Sequence, residues 1–403
     1  MFNLSKQRLN NTTFEKSIKS HSLKQSLFIF LLFLNFGCKQ VQKDQLPSET
    51  PEKIVSVTYA NGFTIEKTGP DITIIKITSP WPNAESVFTY ALIPKDKMAF
   101  MTLNKDAYDA IVAVPVENVV VTSTTHIPAL EALGVLDKLS GFPDTQYISS
   151  EAARKRINNG HIKELGNNES INTEMVIALN PELVVGFGIN AQNKAYETIS
   201  RSNIPVVYNG DWTEKTPLGK AEWVKFFAPF FQKEKEADVI FNEIETEYLA
   251  AIEIAKNASK VPTVMSGAMY KDVWYLPGGN SWAAQFIKDA NASYLWQETL
   301  EPGSLSLGWE SVLQKAKTAD FWIAPAQFTS YKGMQNASPH YQQFKAFESK
   351  NIHTFSSTLG ETGGLLYYEL APQRPDLVLK DLIHIFHPEL LPDHESFFFK
   401  PLE

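Results

Sequence analysis

A single cysteine, Cys38, occurs in 403 residues. No disulfide can therefore close within the chain, and neither a thiolate-held metal cluster nor a Cys-x-x-Cys redox pair can form. The Gly-x-Ser-x-Gly elbow, the GxxxxGK phosphate loop and the His-Glu-x-x-His zinc motif are also missing, which removes the usual sequence signatures of a serine hydrolase, a nucleotide hydrolase and a metalloprotease. The apolar run Leu27–Leu34 is eight residues long, far short of the roughly 20 that span a bilayer as a helix. Positive charge is not in excess either, the formal net charge being −8. An acidic surface argues against binding nucleic acid or an anionic membrane by charge.

What is present is an ordinary globular balance, 43% hydrophobic and 20% charged, with room for two cores. At the N-terminus Lys6, Arg8, Lys16, Lys19 and Lys24 precede the apolar run, which is followed by Asn35-Phe36-Gly37-Cys38. Basic, apolar and small residues in that order make a secretory signal over residues 1–37. Its removal would take away five basic residues and one acidic residue, moving the formal charge from −8 to −12. Cys38 stands where that signal ends, so the segment resembles a bacterial lipoprotein signal, which implies a lipidated Cys38 as the first mature residue. An incidental cysteine after an ordinary signal is the alternative. Residues 38–52, polar with two prolines, read as a flexible tether.

From 53 to 112 the runs Ile54–Tyr59, Phe63–Ile65, Ile72–Ile77 and Val87–Ile93 alternate with Asn61-Gly62, Gly69-Pro70-Asp71 and Pro80-Trp81-Pro82-Asn83. These are strands and turns, predicting a small antiparallel sheet. Over 113–219 a strand at Val119–Ser123 leads into a helix opening at Pro128, and further strand and helix segments follow to Val206–Tyr208. From Glu234 apolar residues recur at Ala237, Ile240, Phe241, Ile244, Tyr248, Ala251, Ile252 and Ala255. That spacing marks one face of a long helix, expected over 220–259 with an interruption at Pro229. Residues 260–403 repeat the strand and helix theme and close with a helix from about Pro375 to Phe386. The predicted fold class is therefore α/β: two Rossmann-like lobes joined by one long rigid helix, with a small N-terminal β-rich extension.

The lobes share a detail. Glu174 opens a short helix before Leu183-Val184-Val185, and Glu310 does the same before Phe321-Trp322-Ile323. A carboxylate in a first helical turn is favoured by the helix dipole, and a plain capping role is the alternative.

The stretches at 119–142, 171–187 and 307–323, the long helix, and the ending at 371–391 resemble the periplasmic solute-binding proteins of ABC importers for iron-siderophore, haem and cobalamin, the helical-backbone class. The resemblance covers roughly 113–391. It implies a metal chelate as guest (ferric siderophore first, cobalamin or haem otherwise), small lobe movement, and a permease dimer into which Glu174 and Glu310 dock. It also implies a monomer in the periplasm, anchored by lipid at Cys38, with no catalytic residue, cofactor or resident metal. Loops at strand ends supply the cleft candidates: Thr124, Thr125, His126, Phe187, Tyr270, Trp274, Tyr275, Trp282 and Arg374. Aromatic rings offer large contact area at little entropic cost. Trp274 and Tyr275 read equally as strand core, His126 as a plain hydrogen-bonding residue, and Arg374 as the start of the last helix beside Pro375. A two-lobed metal-dependent enzyme is the alternative of a different class.

Changing Cys38→Ser is expected to move the exported protein out of the detergent phase in detergent partitioning, and to abolish the lipid mass increment seen by mass spectrometry of the mature chain.

Overall fold

The computed structural model describes residues 57–190 and 192–403. The signal, Cys38, the tether and the start of the run at 54–59 lie outside the described residues.

The first lobe is a five-stranded sheet in the order Lys163–Glu164, Leu139–Phe142, Val119–Val121, Leu183–Phe187, Val206–Asn209, all parallel. Its two middle strands are continuous apolar runs, and every residue of Val119–Val121 and Leu183–Val185 is buried. That is what a parallel sheet covered on both faces requires. The second lobe repeats the plan with Ser293–Tyr294, Thr263–Ser266, Phe321–Ile323 and Ile352–Thr354 in parallel. An antiparallel edge strand, Lys400–Pro401, completes the sheet. A separate antiparallel hairpin sheet, Ala268–Tyr270, Val273–Pro277 and Ser304–Gly308, sits on this lobe.

The long helix is Glu234–Ala255, 22 residues, or about 33 Å at 1.5 Å per residue. Pro229 does not interrupt the segment before it, contrary to expectation; it lies inside the helix Val224–Phe231. The break comes at Gln232, whose φ of 57° is left-handed and cannot continue a right-handed helix. All eight residues of Val224–Phe231 are buried, so this piece is core, and Glu234–Ala255 alone is the spine. The spine buries Ala237, Phe241, Ile244, Tyr248, Ala251 and Ala255. The first three join the first-lobe core and the last three the second-lobe core.

The N-terminal extension has four strands, Phe63–Lys67, Thr73–Ile77, Phe88–Pro94 and Ala110–Val114. The last pairs in parallel with the third, so the sheet is mixed rather than antiparallel, and its final strand straddles the expected boundary at 112/113. Phe63, Ile75, Tyr90, Leu92 and Val112 share one core with Phe226, Phe227 and Phe230. The segment at Thr58–Gly62 is not a strand. Its amides are held by two carboxylates instead: Glu222 accepts from Thr58, Tyr59 and Ala60 at 2.7–3.0 Å, and Glu214 accepts from Asn61 and Gly62, both at 2.8 Å.

A second tie crosses between the lobes. The buried Glu369 carboxylate of the second lobe accepts from the amides of Ser149 (2.6 Å) and Ser150 (2.8 Å) in the first, and Thr362 Oγ1 donates to the Gln146 carbonyl at 2.7 Å. The approach needs glycine: a Cβ on Gly364 would stand 2.4 Å from the Tyr147 carbonyl oxygen. Burial drives the Glu369 carboxyl up from 4.5 to about 7, against the two amides and with Glu131 adding to the rise and Arg154 opposing it. Because the folded pKa lies above the unfolded one, folding favours the protonated form. That contribution is complete below about 4.5 and is lost as pH rises through about 7. Urea unfolding at stepped pH should show the native protein losing stability relative to Glu369→Gln between those values, with the difference constant above them.

Candidate functional site

In an open α/β sheet the crevice forms beyond the carboxyl ends of the strands where strand order reverses. Here that point falls beyond Val121 and Phe187 in the first lobe and beyond Ser266 and Ile323 in the second. Thr122 Oγ1 ties the first pair of ends by accepting the Phe187 amide at 2.8 Å.

Two cavities occupy these positions. The first, about 660 Å³, lies between the lobes, lined from one side by Thr122, Ser123, Thr124, Asp144, Tyr147 and Phe187 and from the other by Gln327, Leu359, Leu365 and Tyr368. The second, about 760 Å³, is cut into the second lobe and walled by Tyr270, Tyr275, Trp282, Phe328, Phe355 and Tyr367. Gln327 and Tyr368 line both, so the two volumes adjoin across the Tyr368 ring, which is 54% exposed.

Of the residues expected at the cleft, Thr124 and Phe187 line the interlobe cavity and Tyr270, Tyr275 and Trp282 the second-lobe cavity. Thr125 lies just outside: it is the residue before the helix His126–Ala132, its hydroxyl 2.9 Å from Ser123 Oγ. Three expectations need correction. The helix begins at His126 rather than Pro128, so that residue turns inward: it is fully buried beside the Phe227 ring. Burial lowers its pKa to about 4, with Asp211 and Asn209 opposing, so the imidazole is neutral and unavailable to a guest.

Trp274 is 0% exposed, packed among Trp322, Tyr341 and Phe344, its Nε1 donating to the Ser266 carbonyl at 3.1 Å. Strand alternation sends it to the opposite face from Tyr275. Arg374 is paired through Nε and Nη2 with Asp376 at 2.9 and 2.7 Å, at the start of the helix Pro375–Phe386, and lines neither cavity.

The sequence reading missed the segment Leu359–Tyr368, which supplies Leu359, Gly363, Gly364, Leu365 and Tyr368 to the interlobe cavity. Its signal was available: a glycine-rich turn immediately after a parallel strand, where such folds place binding loops.

Glu174 and Glu310 are both exposed, each the second residue of its helix, Thr173–Leu179 and Trp309–Ala316. A groove of about 670 Å³ runs beside Glu310, lined by Trp309, His340 and Lys271. Among the described residues no cluster of His, Cys, Asp and Glu could hold a metal ion, and no helix is long and apolar enough to cross a membrane.

Two lobes with a cavity between them, carried on one stiff helix, define a solute-binding protein of the kind that holds its guest between domains. The family model described as periplasmic binding protein matches residues 119–359, and the chain belongs to that family, whose members are substrate-binding proteins rather than enzymes. An uncharacterized lipoprotein of Methanocaldococcus jannaschii is 28% identical over 298 residues, 72% of this chain and 69% of that one. A periplasmic binding protein from Veillonella parvula has a similar structure, with a TM-score of 0.55 at 16% identity, covering 81% of this chain and 95% of the other. A periplasmic haem-binding protein from Pseudomonas aeruginosa superposes with a TM-score of 0.53 at 16% identity, covering 72% and 98%.

Adjacent residues on one strand provide a test of this geometry. Trp274→Ala should destabilise the protein by about 3–5 kcal/mol, whereas Tyr275→Ala should cost less than about 1 kcal/mol, both measured by urea denaturation.

Proposed function

We propose that this protein is a lipid-anchored, periplasmic solute-binding protein that captures a metal chelate, a ferric siderophore first, between its lobes and delivers it to the permease of an ABC importer. The observation that carries this reading is the interlobe cavity, lined from both lobes and adjoining an aromatic recess in the second. Together they suit a guest larger than a sugar or amino acid, held by ring faces with a few polar groups to orient it. Thr124, Phe187, Tyr270, Tyr275 and Trp282, with Tyr147 and Tyr368 added from the structure, are the proposed contacts.

The haem-binding neighbour from Pseudomonas aeruginosa supports a chelate of that size, and the lipoprotein relative from Methanocaldococcus jannaschii supports the anchor at Cys38. Cobalamin and haem are the competing guests of the same cleft.

Glu174 and Glu310 are proposed as the docking contacts to the permease dimer. One exposed carboxylate contributes little, at most about 1 kcal/mol; two on lobes held by a rigid spine set register and orientation.

Titration of intrinsic tryptophan fluorescence with a ferric siderophore, haemin and cyanocobalamin should reveal saturable one-to-one binding by at least one of them. The double variant Glu174→Ala/Glu310→Ala should retain that affinity unchanged while uptake in cells drops to background. Transport that survives the double change would remove the docking assignment.

A further inference from the structure

The lining of the cleft carries information about the charge of its guest. Among the described residues, no Lys, Arg or His lines either cavity. The second-lobe cavity has no charged side chain in its wall at all, only aromatic, aliphatic, hydroxyl and amide groups. The interlobe cavity has one, Asp144. Two lysines touch lining rings from outside. Lys220 Nζ, 5.2 Å from the Trp282 ring centroid, is buried and already donates to the Asp211 and Trp212 carbonyls at 3.0 and 3.2 Å. Lys271 Nζ lies 5.5 Å from the Tyr270 ring centroid and lines the groove beside Glu310 instead.

We infer that the cleft selects chelates of zero or positive net charge, in practice uncharged or cationic ferric trihydroxamates, and rejects polyanionic ones such as ferric tris-catecholates. This rests on the solute-capture reading and narrows it. Moving a polyanion from water into a wall without a cation forfeits its hydration with nothing to replace it. The acidic protein around the wall, net −8 over the full sequence and −12 without residues 1–37, opposes the approach as well. A neutral chelate loses little on desolvation and gains contact with the rings of Tyr147, Phe187, Trp282 and Tyr368.

Asp144 gives the cavity its polarity. Its φ is 54°, a left-handed conformation that Asp and Asn tolerate, and its Oδ2 accepts the Asn168 amide at 3.2 Å. The carboxylate stands at the first-lobe end of the cavity, so a positively charged guest would place its cationic arm there and its apolar bulk in the second lobe. The same wall disfavours haem, whose two propionates would find no cationic partner in it.

The test is a fluorescence titration of the native protein with five probes: an uncharged ferric trihydroxamate, one bearing a free ammonium group, a trianionic ferric tris-catecholate, haemin and cyanocobalamin. The two trihydroxamates should bind on the order of a hundredfold more tightly than the tris-catecholate or haemin. In Asp144→Asn, which keeps the backbone conformation accessible, the affinity of the ammonium probe relative to the uncharged one should fall about tenfold. Tris-catecholate or haemin binding as tightly as the uncharged trihydroxamate would overturn the charge selection and leave the solute-capture reading standing. An ammonium preference that survives Asp144→Asn would overturn the role of Asp144. Failure of all five probes to bind would remove both readings together.

Discussion

The architecture depends on one helix belonging to two cores. Along Glu234–Ala255 the buried side chains fall at 237, 241, 244, 248, 251 and 255, a single stripe of alternating four and three residue steps. The stripe is divided between Ile244 and Tyr248: above that point it packs with the first lobe, below it with the second. Any bend within the helix would pull side chains out of one core or the other, and each such side chain contributes about 1.5–3 kcal/mol by its burial. The helix, together with the direct ties from Glu369 and Thr362, therefore sets the space between the lobes.

Carboxylates make several further long-range ties. Glu369 bridges the lobes, and Glu222 and Glu214 bind the backbone of the extension to the segment before the spine. In each case the acceptor is a buried or nearly buried carboxylate receiving two or more amides, which is stronger than a neutral hydrogen bond. Such ties demand an exact partner position, so they lock the arrangement, and for Glu369 the lock costs stability once the carboxyl ionises. The extension, with its aromatic residues set against Phe226 and Phe230, is consequently part of the first lobe's core and not an appended module.

The cleft itself follows from strand order. Two sheets that each reverse strand order beside their first strand place loops along the cleft, and those loops carry hydroxyls, amides and rings with a single carboxylate among them. Charge sits elsewhere: Arg374 is paired at a helix start, Lys220 is capped by carbonyls, and Glu174 and Glu310 face outward. Segregation of this kind keeps guest recognition separate from any contact with a membrane partner.

Local periodicity alone was enough to place most elements. The runs at Val119 and Leu183, the stripe from Ala237 and the helix at Pro375–Phe386 are legible because a residue's neighbours at two, three or four positions decide whether it lies in a strand or a helix. The division into two lobes and the paired carboxylates Glu174 and Glu310 follow from the same local information. What no local pattern contains is the direction a loop or strand end faces once the lobes are assembled. Trp274 sits on its expected strand and His126 at the start of a helix rather than in the loop before it, and both turn into the core, while Tyr368, which follows a turn of glycines, turns into the cleft. Tertiary packing decided those outcomes, because burial is settled by whichever distant surface arrives to cover a side chain, and that surface comes from residues far away in the chain.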